Sequence, residues 1–237
     1  MLYKLLSPIW RRVVRPLWYK LSGKEKKTLL MLFDIYEPIE QNFTFIRSSS
    51  QSITYAKDIF PQIKEAVFEY LIKLPETKVI NISDVGGGCG AGSEYIRAQL
   101  QIQIAKSFPQ RTVKINMTMI EQAGWYEEWC NRFYPKIIFL KDDIFFHEKI
   151  YDFLVCSAVI EHVEAPFDFI ERMQNMTKEK IFIYAPYNEH PLSPDGHINK
   201  IDDEFLNVLN PQKLTFIKSK AWRFKGGMVL IILPGKA

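Results

Sequence analysis

The chain has 237 residues, of which 47% are hydrophobic, so it can bury one sizeable core but is short for two ordinary domains. Its three cysteines, Cys89, Cys130 and Cys156, are far apart and form no Cys-x-x-Cys pair, which argues against a disulfide framework and a zinc site. No run of about 18 uncharged apolar residues occurs, so the sequence also argues against a membrane-spanning helix. We therefore expect one main domain, located in the cytoplasm, where thiols stay reduced.

The first 28 residues concentrate the positive charge. They contain eight basic residues and one acidic residue, a formal charge of +7, so the remaining chain carries −3 of the total of +4. Leucine, isoleucine and valine recur among these charges at helical spacing, together with Trp10 and Trp18. The pattern leaves two alternatives open: a helix on an anionic membrane surface, peripheral to its inner face, or a helix packed on the core. Nucleic acid is a weaker alternative, because the rest of the chain is acidic on balance.

The chain up to Pro75 continues with a helical pattern. In the run KDIFPQIKEAVFEYLIKL (57–74), apolar side chains recur at Ile59, Ile63 and Val67. This spacing predicts a helix that ends at the proline, as part of a helical cap.

A polar run, RSSSQS (47–52), precedes that helix and predicts a loop. The change of pattern that follows Pro75 suggests a domain boundary. We therefore divide the chain into an N-terminal basic and helical cap segment, residues 1–75, and a main domain, residues 76–237.

The main domain shows alternating strand and helix patterns. Five short apolar runs predict buried strands, at residues 78–85, 112–121, 136–143, 151–159 and 180–187. Amphipathic runs predict helices at residues 92–108 and 123–134. Such a βαβ series is typical of an α/β fold with a doubly wound, mostly parallel sheet. Two further runs, at 214–224 and 226–233, lie so close together that they should form an antiparallel hairpin at the C-terminal end.

The stretch NISDVGGGCGAGSEYI (81–96) has five glycines within seven positions, directly after the first predicted strand. In a parallel sheet, a glycine-rich turn at that position lets the backbone approach a ligand closely. Gly86, Gly88 and Ala91 match the loose dinucleotide fingerprint G-x-G-x-x-G/A, whereas a P-loop is excluded because no Gly-Lys-Ser/Thr follows. The turn therefore predicts a nucleotide-type cofactor without identifying it.

Acidic residues follow the strands in order, and they narrow the choice of cofactor. Asp84 ends the first strand, Glu121 the second and Asp142-Asp143 the third, and the fourth runs into YDFLVCSAVIEHV (151–163). Together with the glycine turn, residues 78–233 resemble the class I S-adenosylmethionine-dependent methyltransferases, which have a Rossmann-like fold. One alternative is a nicotinamide-dependent oxidoreductase, although no acid stands about 20 residues after the glycines. Another is a non-catalytic binding protein of the same fold, but neither the turn nor the acids are eroded.

The resemblance implies S-adenosylmethionine as the cofactor and assigns the residues around its methionine part. Main-chain groups of Gly86, Gly88 and Gly90 would lie against the methionine, with Asp84 organising the turn and favouring the positively charged end. Ser157 and its two neighbours, residues 156 and 158, would line the floor near the sulfonium.

The resemblance also assigns residues to the adenosine part. Glu121 would accept hydrogen bonds from both ribose hydroxyls, which suits a carboxylate because it only accepts. Asp143, or Asp142 beside it, would accept the adenine amino group, and Ile144 would lie on the ring. One departure from the family is the 31-residue step from Gly90 to Glu121, which is longer than usual.

Methyl transfer to a hydroxyl needs a base, and histidine is suited to that work near neutral pH. His162 follows the fourth strand, where the family places the cofactor mouth, and His190 and His197 flank the loop after the fifth strand. These three histidines are the candidate catalytic residues. A metal site formed by His190, Asp195 and His197 is a weaker interpretation, because that spacing fixes no coordination geometry, and we predict no metal. His147 receives no role.

The acceptor is indicated only by resemblance. The stretch APYNEHPLSPDGHINKID (185–202) resembles the corresponding loop of bacterial methyltransferases of cell-surface polysaccharide and other glycan or lipid-linked pathways. It implies O-methylation of a glycan, a lipid-linked molecule or a small molecule. Nucleic-acid N-methylation is disfavoured, because CSAVIE (156–161) stands where an Asn-Pro-Pro-Tyr type motif would be.

Overall fold

The computed structural model describes residues 36–189, 196–220 and 227–237, with side chains from residue 48 onward. Residues 48–237 form one compact unit. The domain boundary that we placed between residues 75 and 76 therefore falls inside this unit. The basic segment, residues 1–28, lies outside the described residues, so its membrane association stays a prediction. Among the described helices, none is both long and apolar enough to cross a membrane.

The described elements alternate along the chain as the βαβ pattern predicts. In chain order they are helix α1 (Tyr36–Lys73), β1 (Val79–Val85), α2 (Ala91–Ser107), β2 (Lys114–Ile120), α3 (Tyr126–Phe133), β3 (Ile137–Leu140), β4 (Tyr151–Ser157), a 3-10 turn (Ile160–His162), α4 (Pro166–Asn175), β5 (Thr177–Pro186), α5 (Asp203–Leu209), β6 (Lys213–Ile217) and β7 (Met228–Pro234).

The seven strands form a single sheet in the order β3-β2-β1-β4-β5-β7-β6. The first five pair in parallel, which confirms the predicted α/β sheet. Strands β6 and β7 pair antiparallel, as predicted for the C-terminal hairpin. Strand β7 also inserts beside β5, antiparallel to it, and leaves β6 at the edge. Burial explains this order, because β7 is buried from Met228 to Leu233 whereas β6 keeps Phe216 exposed.

The sheet has a hydrophobic core on each face. Successive side chains of a strand point to opposite faces, so Phe153 and Val155 of β4 join one core while Leu154 and Cys156 join the other. Helices α1 and α2 cover the first core, and α4 and α5 cover the second. This layering leaves the carboxyl ends of β1 to β4 together at one edge of the sheet.

The polar run at residues 47–52 is helical, so the predicted loop is wrong. Serine is a weak helix former, but tertiary contacts outweigh a preference of a few tenths of a kcal/mol. The Ser52 hydroxyl accepts a hydrogen bond from the Gly92 amide at 3.0 Å, and the Ser49 hydroxyl lies 3.2 Å from the Cys89 sulfur. Further along α1, Ile59 is fully buried, as the helical spacing predicts.

Candidate active site

A glycine turn connects β1 to α2 at the carboxyl edge of the sheet. Gly86, Gly88 and Gly90 all have positive φ angles, of 70°, 58° and 82°. A Cβ on Gly86 would lie 2.4 Å from a methyl carbon of Val159. A Cβ on Gly88 would have its nearest neighbour in the described part of the chain, a Tyr126 ring carbon, 4.0 Å away. Gly86 is therefore fixed by close packing, while Gly88 presents its backbone to open space.

Asp84 lies beneath this turn and is nearly fully buried. The Ser93 hydroxyl donates a hydrogen bond of 2.6 Å to one of its carboxylate oxygens. Burial raises the pKa of Asp84 to about 7; the bond from Ser93 opposes the rise, and the charge of Glu121 adds to it. A cation bound above the turn would stabilise the ionised form of this carboxyl group.

The carboxylate of Glu121 binds the turn directly. Its Oε2 accepts a hydrogen bond of 3.0 Å from the Gly88 amide, and its Oε1 accepts one of 2.9 Å from the Ala123 amide. Each oxygen keeps further acceptor capacity, because a carboxylate offers about four lone-pair positions. Glu121 thus joins the end of β2 to the glycine turn and remains able to accept hydrogen bonds from a ligand.

The two aspartates after β3 have different surroundings. The Asp142 carboxylate lies 2.7 Å from Nδ1 of the buried His147, and that hydrogen bond lowers the pKa of Asp142. Nε2 of His147 lies 2.9 Å from the Tyr151 hydroxyl. The Asp143 carboxylate accepts a local bond, from the Phe145 amide at 3.0 Å. His147 therefore links Asp142 to Tyr151, a structural role that the sequence did not reveal.

Beyond the end of β4 lies a cluster that we call the acid–histidine cluster: Glu161, His162, Glu189 and His197. Nδ1 of His197 lies 2.6 Å from a Glu189 oxygen, and both side chains are almost fully buried. The rings of His162 and His197 meet edge to face, 4.7 Å apart. Burial raises the pKa of Glu161 to about 8.

Backbone hydrogen bonds hold the two halves of this cluster together. The amides of Ile198 and Asn199 donate to the Glu161 carbonyl at 2.8 and 3.1 Å. The Asn199 side chain donates to the Ile160 carbonyl at 2.9 Å. Although 35 residues separate His162 from His197 in the chain, these bonds bring them to the same place.

Two cavities border the turn. The first, of about 310 Å³, is lined by Asp84, the glycine turn, Ser157 and three members of the acid–histidine cluster, Glu161, His162 and His197. Ala158 also lines it, whereas Cys156 is fully buried in the core.

The second cavity, of about 530 Å³, is lined mainly by apolar groups together with Glu121, Asp142, Asp143 and Ile144. Gly86 and His162 line both cavities, so the two lie side by side. The predicted methionine-side and adenosine-side residues thus border neighbouring spaces, with two exceptions. Gly90 lies behind the turn against Cys130, and Cys156 is buried in the core.

Helix α1 supplies a wall of the first cavity that sequence reasoning missed. Ser48, Gln51, Ser52 and Tyr55 line it. The Gln51 amide donates to the Tyr55 hydroxyl at 2.7 Å, and burial raises the pKa of Tyr55 to about 12. The only sequence signal for this wall was a polar run beside an apolar helix. A polar run of this kind also occurs in surface loops. The candidate base His190, and Asp195, lie outside the described residues.

Neither a protein-family model nor a curated protein matches the sequence. Solved structures do match the fold. The CurJ carbon methyltransferase superposes with a TM-score of 0.52 at 10% identity, covering 75% of this chain and 54% of that one. The DszA carbon methyltransferase gives 0.50 at 10% identity, covering 75% and 53%. An S-adenosylmethionine-dependent methyltransferase from Clostridium acetobutylicum gives 0.50 at 8% identity, covering 73% and 91%.

These likenesses establish the fold. The chain has the mixed seven-stranded sheet of Rossmann-like, class I methyltransferases, with two antiparallel strands at its C-terminal end. It spans about half the length of the two carbon methyltransferase chains. At 8 to 10% identity the superpositions carry no information about the acceptor.

Proposed function

We propose that the chain is an S-adenosylmethionine-dependent methyltransferase that methylates an oxygen atom of its acceptor. One observation carries the proposal: the two cavities at the carboxyl edge of the sheet share Gly86 and His162. One cavity has carboxylates and apolar walls suited to a nucleoside, and the other has the open glycine backbone and the acid–histidine cluster. A ligand lying across both would bring its far end to groups capable of proton transfer.

The residues present fit this cofactor. The open backbone at Gly88 accommodates a close ligand, and the buried Asp84 favours a positive charge above it. Glu121 would accept from ribose hydroxyls. Asp142 is engaged by His147, so Asp143 would accept from the adenine amino group, while Ile144 lies in the cavity wall beside it.

Bound S-adenosylmethionine supplies an activated methyl group, which leaves the chain three tasks: to orient the acceptor, to exclude water and to remove a proton. His162 and His197 would perform the last task. The Glu189 carboxylate accepts a hydrogen bond from Nδ1–H of His197, and this tautomer leaves Nε2 as the basic nitrogen of the ring. The cavity wall formed by α1 borders the same space.

For the acceptor we propose a hydroxyl group of a glycan, a lipid-linked molecule or a small molecule, on the cytoplasmic side of the membrane. Support comes from the resemblance of residues 185–202 to loops of bacterial methyltransferases in polysaccharide pathways. The basic, tryptophan-containing segment, residues 1–28, would bring the enzyme to a membrane-borne acceptor.

Calorimetry with S-adenosylmethionine and S-adenosylhomocysteine tests the proposal. We expect binding of both, followed by transfer of a labelled methyl group to one fraction of a cell extract: lipid-linked glycan, RNA or small molecules. If neither ligand binds at millimolar concentration, the proposal is wrong. Binding of NADH instead would favour an oxidoreductase, and cofactor binding without any transfer would favour a non-catalytic binding protein.

A further inference from the structure

We propose that Glu161, His162 and His197 form a binding site for a first-row divalent metal ion, with Zn²⁺ as the best match. Each residue offers one ligand atom, and these three atoms lie within 4.8 Å of one another. Two imidazoles and one carboxylate form a ligand set that zinc sites use when a fourth position is left for water or substrate. The sequence had argued against a metal, because only folding brings these residues together.

Both imidazoles are oriented in the way that metal-binding histidines are. Nδ1 of His197 donates to Glu189 at 2.6 Å, and Nδ1 of His162 donates to the Gly196 carbonyl at 3.1 Å. With each Nδ1 bound to an oxygen acceptor, Nε2 of each ring is the nitrogen that would bind the metal. A carboxylate or carbonyl behind the imidazole fixes its tautomer and raises its basicity, and this is the usual second shell of a zinc ligand.

Glu161 provides an independent sign of a missing cationic partner. The residue is 1% exposed, and neither carboxylate oxygen has a hydrogen-bond partner among the described residues. A buried carboxyl group without a partner costs free energy of folding, so such groups are normally paired or bound to a metal. One oxygen of the buried Glu189 also lacks a partner within the described part of the chain. No lysine or arginine is among the described residues that line the cavity, so no side-chain cation there offsets these acids.

Metal binding requires the ligand atoms to move closer together. Each histidine contributes one ring nitrogen to the 4.8 Å limit, and tetrahedral zinc with bonds of about 2.0 to 2.1 Å places its ligand atoms about 3.3 Å apart, so a separation at that limit must close by about 1.5 Å. His162 is exposed and can rotate, whereas Glu161 and His197 are held by the surrounding packing. Magnesium is a poor match, because it prefers oxygen ligands and octahedral geometry.

The site would also define the acceptor chemistry, and this part rests on the proposed methyltransferase function. The three ligands line the same cavity as Gly86 and Gly88. A metal ion there would bind the acceptor hydroxyl and lower its pKa, which favours a hydroxyl over a carbon or amine acceptor. With both imidazoles bound to the metal, neither histidine would act as the base in the metal-bound protein. The proton of the metal-bound hydroxyl would pass to a solvent water molecule.

Equilibrium dialysis of the full chain against Zn²⁺, and absorption spectroscopy with Co²⁺, test the site. We expect one equivalent of metal per chain. The variant His162→Ala, at an exposed position, should lose more than about 100-fold in affinity. Glu189→Gln, which removes a positioning residue, should lose about 10- to 100-fold. The matched control Glu148→Gln, at an exposed glutamate outside the cluster, should bind as the wild type does.

Circular dichroism of every variant identifies loss of folding, and His162→Ala is the variant on which the test depends. If the wild type binds no metal, or if His162→Ala and Glu189→Gln bind it as well as Glu148→Gln does, the metal site is wrong. S-adenosylmethionine is titrated separately into chelator-treated protein. Cofactor binding without metal binding would overturn only the metal site, and metal binding without cofactor binding would overturn only the proposed function.

Discussion

Substitution of Gly88 separates its two roles, an unusual backbone conformation and an open face toward the cofactor. At φ +58°, a side chain costs about 1 to 2 kcal/mol of stability, or about 2 to 8 °C in Tm for a domain of this size. Among the residues that the structure describes, a Cβ there meets nothing nearer than 4.0 Å, so the fold should survive. In Gly88→Ala the new methyl group would overpack the bound cofactor by about 1 to 3 kcal/mol, which is a 5- to 150-fold loss of affinity. Gly88→Val should abolish binding.

Calorimetric titration with S-adenosylmethionine measures the affinity, and thermal unfolding without ligand measures the stability. Gly227→Ala is the control for backbone strain, because Gly227 also has a positive φ, of 74°, but does not line either cavity. Its new Cβ would lie 3.0 Å from the Ile217 carbonyl oxygen, so its loss of stability should exceed that of Gly88→Ala. It should lower the Tm and leave the affinity unchanged. If folded Gly88→Ala and Gly227→Ala bind the cofactor equally well, Gly88 does not face the cofactor and the placement of the ligand is wrong.

Three further predictions concern the ribose contact, the buried acid and the N-terminal segment. Glu121→Ala should weaken cofactor binding by about 1 to 3 kcal/mol in calorimetry, and no change would mean that another acid binds the ribose. The raised pKa of Asp84 means that the folded protein retains a proton that the unfolded chain releases between about pH 4 and pH 7. The free energy of unfolding should therefore fall across that range, by up to about 1.4 kcal/mol per pH unit. Urea unfolding at several pH values should show a smaller fall for Asp84→Asn than for the wild type. Equal slopes of unfolding free energy against pH in the two proteins would refute the raised pKa of Asp84. The full chain should sediment with anionic liposomes, salt should weaken this binding, and deletion of residues 1–28 should abolish it while sparing methyl transfer to a soluble acceptor. Failure of the full chain to bind anionic liposomes at low salt, or loss of folding on deletion, would favour a packed helix.

In the proposed cofactor site, the sequence could predict those residues whose type is fixed by local chemistry. A glycine turn with positive φ angles excludes most side chains, so Gly86 and Gly88 are visible as glycines in the sequence. Acids such as Glu121 follow their strands directly, and the parallel sheet brings strand ends to one edge. Sequence could not separate Asp142 from Asp143, because the difference comes from the hydrogen bond between Asp142 and His147.

The sequence by itself determined the alternation of strands and helices, the parallel sheet and the position of the glycine turn, because hydrophobic periodicity and glycine content act over a few neighbouring residues. Only the tertiary structure decided that β7 lies between β5 and β6, that residues 48–52 form a helical wall of the cavity, and that Glu161, His162 and His197 meet. These outcomes depend on contacts between residues tens of positions apart, such as the bonds from residues 198 and 199 to the Glu161 carbonyl. No local pattern encodes them, since such pairs form only once burial of the two cores has fixed where the chain segments lie.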